Sequence, residues 1–125
     1  ERENSPQYIQ EALDLKYDVE VDVWVNDEIW LGHDKPQHKI SLKFLMSNFR
    51  HLWIHCKNLE AMDLFSEFRL LNFFWHEEDD FALTSKNFIW TYPGKRVCNK
   101  SVIVVEDARS YGGQPCFGLC SDFLK

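Results

Sequence analysis

Apolar and polar residues alternate along Val19-Glu20-Val21-Asp22-Val23-Trp24, within a segment from Tyr17 to Val25 that this period predicts as a strand. Asn26-Asp27-Glu28 is a turn, and Ile29 to Leu31 returns as a short strand that runs into Gly32-His33-Asp34. Upstream, Asn4 or Ser5 caps a helix with Pro6 at its first position, and Tyr8, Ile9, Ala12 and Leu13 recur at helical spacing to about Leu15. Downstream of a loop at Lys35–His38, Ser41 opens a second helix with Leu42, Leu45, Met46 and Phe49 on one face. His51 to Cys56 is an apolar strand. Asn58 then caps a third helix striped by Leu59, Met62, Phe65 and Phe68, which the stripe assigns to the core. Leu71 to His76 is a strand, followed by the acidic run Glu77–Asp80. Short strands are predicted at Phe81–Thr84, Phe88–Tyr92, Ser101–Val105 and Phe117–Cys120.

The chain of 125 residues is long enough for one domain with a real core, and 45% hydrophobic and 15% aromatic residues fit a folded chain. A net charge of −6 argues against nucleic acid as a partner, because phosphate backbones call for clustered Lys and Arg. No apolar run approaches the roughly 20 residues that span a bilayer, and no secretory signal is visible. Cys56, Cys98, Cys116 and Cys120 form no Cys-x-x-Cys pair. Reduced thiols in a cytoplasmic protein are the expectation.

By the two-residue period, Glu20 and Asp22 share one face of their strand and the three valines share the other. Two adjacent carboxylates repel, and a divalent cation with a preference for oxygen relieves the repulsion. The same alternation also suits a half-buried strand with a solvated acidic face. The companion Gly32-His33-Asp34 shifts the balance towards chemistry. Glu-x-Asp, a hairpin and Gly-His-Asp together resemble the glycerophosphodiester phosphodiesterase family, within the wider phosphatidylinositol-phospholipase-C-like group. Glu3-Asn4-Ser5 resembles that family's Pro-Glu-Asn-Thr segment. Ile54-His55-Cys56-Lys57 resembles its Glu-x-Lys strand, with His55 in place of the glutamate. Gly118-Leu119-Cys120-Ser121-Asp122 resembles its closing strand, Gly-Ile-x-Thr-Asp.

The resemblance implies a barrel of alternating strands and helices, in agreement with the helix–strand alternation of the first 76 residues. A full barrel takes about 250 residues, so a compressed or incomplete (β/α) TIM-type barrel is expected, formed by residues 1–125 as a single domain. The acidic face would look into its mouth. The family's His-Arg-Gly strand has no counterpart ahead of Glu3, so two unpaired strand edges and a homodimer that covers them are expected. The implied activity is metal-dependent hydrolysis of a glycerophosphodiester to glycerol phosphate and an alcohol. Glu20, Asp22 and His55 would hold Mg²⁺, Ca²⁺ or Mn²⁺, and the imidazole would also tolerate Zn²⁺. His33 would be the general acid, with Asp34 orienting it or capping the next turn. Lys57, His76 and Trp90 would contact a small-molecule phosphodiester. Two alternatives remain: a degenerate barrel that binds a phosphorylated ligand or a protein partner without turnover, and a lyase that leaves a cyclic phosphate.

Overall fold

The computed structural model describes residues 3–123, and these divide into two compact units at the boundary between Trp75 and His76. In the first unit Ser5 caps α1 (Pro6–Asp14) by accepting the Tyr8 N–H on its hydroxyl, and Pro6 needs no partner at the first helical position. α1 buries Ile9 and packs on β1 (Val19–Val25). The turn at Asn26 sends β2 (Ile29–Leu31) back antiparallel to β1, with Val23 opposite Leu31. The chain then doubles back over Gly32–Gln37 into β3 (His38–Ile40), antiparallel to β2.

α2 (Leu42–Ser47), capped by Ser41, and a 3₁₀ turn at Phe49–His51 carry the chain across to β4 (Leu52–Cys56). β4 runs parallel to β1, and its register sets Glu20 beside Trp53 and Asp22 beside His55. Asn58 caps α3 (Leu59–Phe65), which packs on β1, β4 and β5 (Asn72–Trp75). β5 is parallel to β4, with Phe74 beside His55. The sheet order is β3-β2-β1-β4-β5. Its apolar core joins Val21, Val23, Leu31, Ile54, Leu45, Ala61 and Phe65. Leu59, expected in that core, stands 75% exposed in the first turn of α3.

The second unit is a sheet of β6 (Phe81–Leu83), β7 (Ile89–Thr91), β8 (Ser101–Val104) and β9 (Gly118–Cys120), in the order β6-β7-β8-β9. β6 and β7 are antiparallel, whereas β7, β8 and β9 are parallel. Its buried side chains include Trp90, Val102 and Ile103. A 3₁₀ turn at Ala108–Ser110 lies between β8 and β9. Among the described residues no helix is long and apolar enough to cross a membrane.

The expected TIM-type barrel is not formed. The strands make two separate mixed sheets, of five and four strands, and neither closes on itself. The physical reason lies at β1. In a barrel both its edges would pair with parallel strands, but the hairpin strand β2 takes one of them in antiparallel register. In the second unit, moreover, no α-helix connects the parallel strands β7, β8 and β9, so the alternation that builds a barrel stops after β5.

Candidate metal centre

The side-chain period of β1 puts Glu20 and Asp22 on the face opposite to the buried Val21 and Val23. Parallel pairing with β4 adds His55 to that face. One ligand atom from each of Glu20, Asp22 and His55 can be chosen so that all lie within 4.8 Å of one another. His55 Nδ1 is 3.0 Å from Asp22 Oδ1 and 3.7 Å from Glu20 Oε2. Phe74 stacks flat on the imidazole, with ring centroids 5.2 Å apart and planes 5° apart, and so fixes its orientation. The face is only partly open to water: Asp22 is 3% exposed, and Glu20 and His55 are half-buried.

The two carboxyl groups respond oppositely to this setting. Burial pushes Glu20 well above the ordinary carboxyl range, and the negative charge of Asp22, a hydrogen bond with Asp22 and the charge of Glu3 add to the effect against a smaller opposing pull from Lys57. Burial also works against ionised Asp22, but hydrogen bonds from His55, Asn4 and Glu20 outweigh it and hold Asp22 below its ordinary value. The opposite shifts favour retention of a proton by Glu20 over its loss while Asp22 is ionised. A cation that displaced the Glu20 proton would meet two carboxylates and an imidazole already gathered. This donor set fits a divalent ion and, because of its nitrogen, favours Mn²⁺ or Zn²⁺ over Ca²⁺.

Lys57 directly follows β4, donates its backbone N–H to Val23 and acts on Glu20 through its charge. His33 follows Gly32 on the loop after β2. Its side chain is 58% exposed, and its Nδ1 meets Asp34 Oδ1 at 2.9 Å. It is not one of the three residues whose ligand atoms converge. His76 and Trp90 belong to the second unit. There His76 Nε2 donates to the Asp79 carbonyl at 2.6 Å, and Trp90 is buried between Ala82 of β6 and Val102 of β8. Among the described residues no disulfide joins Cys56, Cys98, Cys116 and Cys120, and burial pushes the Cys56 thiol up to about 12.

Two contributors escape a reading of the residues alone. Asn4 is a candidate cap by composition, yet Ser5 takes that role and Asn4 bonds Asp22 instead. The consecutive Asn4-Ser5 pair was the available signal, because one helix uses one N-cap. Phe74 carries no signal at all, since its place over His55 depends on strand register. Comparisons of the chain with protein-family models, with curated proteins and with solved structures find no match.

Proposed function

We propose that the chain binds a divalent cation through Glu20, Asp22 and His55 and uses it to hydrolyse a phosphodiester of the glycerophosphodiester type, releasing glycerol phosphate and an alcohol. The observation that carries this reading is the convergence of two carboxyl groups and an imidazole, from two parallel strands, within 4.8 Å. When bound, the cation would neutralise charge on the phosphoryl oxygens. Lys57 adds a positive point charge next to that site. As a water oxygen bonds to phosphorus and gives up a proton to solvent, the bond from phosphorus to the departing alcohol breaks, and the alcohol oxygen needs a proton. His33 holds Asp34 through Nδ1, which leaves Nε2 as the ring atom that can deliver it. Four cysteines with no disulfide among them suit a cytoplasmic setting for this activity.

A second reading, cation-dependent binding of a phosphorylated ligand without turnover, is favoured by one observation. The acid of the scheme, His33, is exposed and stands outside the converging trio. A panel of glycerophosphodiesters assayed with Mn²⁺, and again with chelator, decides between them. Turnover that chelator abolishes, and that His33→Ala lowers by about 10²–10⁴-fold, supports hydrolysis. Tight Mn²⁺ binding with no turnover supports the second reading. Turnover indifferent to chelator overturns both.

A further inference from the structure

Two asparagine side chains hold β1 from outside the sheet. At its C-terminal end Asn58 accepts the Val25 N–H on Oδ1 at 3.2 Å and donates from Nδ2 to the Val25 carbonyl at 2.7 Å. That pair of bonds stands in for a neighbouring strand and satisfies both backbone groups. Asn4 begins in the same way, accepting the Asp22 N–H on Oδ1 at 2.8 Å. Its Nδ2 then goes elsewhere. The Asp22 carbonyl is taken by the Gly32 N–H at 3.1 Å, and Asn4 Nδ2 donates to the Asp22 carboxylate, 3.0 Å from Oδ2. Asn4 is 5% exposed and has a left-handed backbone, with φ of 65°. Asn accepts that conformation more readily than other residues with side chains. Both polar atoms of its side chain are thus committed to one residue, eighteen positions away.

We propose that Asn4 is a positioning residue for the cation site: by holding Oδ2 of Asp22 it leaves Oδ1, the oxygen that meets His55, to ligate the ion, and so restricts Asp22 to one-oxygen binding. This rests on the cation reading above. A carboxylate with both oxygens unrestrained can turn and bind an ion through either or both. The amide of Asn4 removes that freedom, in the way that outer hydrogen bonds orient ligands in metal sites generally. The Asn58 clamp is the built-in control, because it makes the same kind of bonds to the same strand and, among the described residues, hydrogen-bonds no carboxylate.

The experiment uses Co²⁺, whose visible absorption reports how many ligand atoms surround it and in what geometry. Asn4→Gly keeps the left-handed backbone and removes both bonds to Asp22. It should bind Co²⁺ about 10–100-fold more weakly, with a changed spectrum at saturation. Asn58→Ala should melt at a lower temperature and give the unaltered spectrum at saturation. Asn4→Asp keeps an acceptor for the Asp22 N–H and replaces the donor to Oδ2 with a carboxylate oxygen that repels it, so its saturated spectrum should also change. It serves in place of Asn4→Gly should that variant not fold. A folded Asn4 variant with unaltered affinity and spectrum overturns the positioning role and leaves the cation reading standing. If the unaltered chain binds no Co²⁺, the cation reading falls and the role of Asn4 falls with it.

Discussion

Glu20 and Asp22 occupy one face of one strand, yet their surroundings drive their proton affinities apart. Burial and the neighbouring negative charges keep Glu20 protonated in the folded chain over a range in which the unfolded chain has lost that proton. Folding takes up a proton there, so stability falls as pH rises from the ordinary carboxyl range through the raised value of Glu20. Asp22 has the opposite sign. Burial works against its charge, but the bonds from His55, Asn4 and Glu20 prevail, and its contribution is lost as pH falls through its lowered value. Glu20→Gln keeps the shape and discards the charge. In cation-free protein it should flatten the decline in stability with rising pH and so raise stability at the alkaline end of the range. Urea unfolding of both proteins across the range checks this, and parallel declines would remove Glu20 as the source.

The elements show how sequence becomes geometry, and where it does not. Gly32 ends the β1–β2 hairpin with its N–H on the Asp22 carbonyl and its own carbonyl accepting the Trp24 indole N–H at 2.7 Å. A Cβ there would overlap the Lys35 carbonyl oxygen and lie 3.1 Å from the Gln37 nitrogen. Gly32→Ala should therefore destabilise the chain by about 1–3 kcal/mol and weaken cation binding, because the loop that braces Asp22 must shift. Gly94→Ala, which meets nothing within 4 Å, carries only the strain of its φ of 81°, about 1–2 kcal/mol. Thermal melts and a Co²⁺ titration check the contrast. Ser5, Ser41 and Asn58 each accept a backbone N–H as helix caps, and those starts were legible from residue type. β3 was not, because His38-Lys39-Ile40 is short and polar and becomes a strand only by pairing with β2. Leu59 belongs to the α3 stripe by spacing but lies in the first turn, where the apolar face has yet to meet the sheet. Period alone put Glu20 and Asp22 together. His55 joined them through the register of β4, and that depends on the connection between the strands, which no local pattern encodes.

At the scale of the whole chain, all three converging ligand residues lie in the unit that ends at Trp75, and the absence of a closed barrel was not legible because hydrophobic period specifies elements and not the edges along which they pair. The same pairing carries a kinetic consequence. Asp22 and His55 meet across parallel strands, with the hairpin, β3 and α2 all intervening along the chain. Closing so long a loop must precede any parallel contact that rewards it. The ligand set is therefore absent from the unfolded ensemble and assembles late. In stopped-flow measurements a bound cation at about 100 times its Kd should slow unfolding by about 100-fold and leave the refolding rate nearly unchanged. Faster refolding would instead place the β1–β4 contact in the folding nucleus. On the expected outcome the ion resists the opening of a chain that has already folded without it.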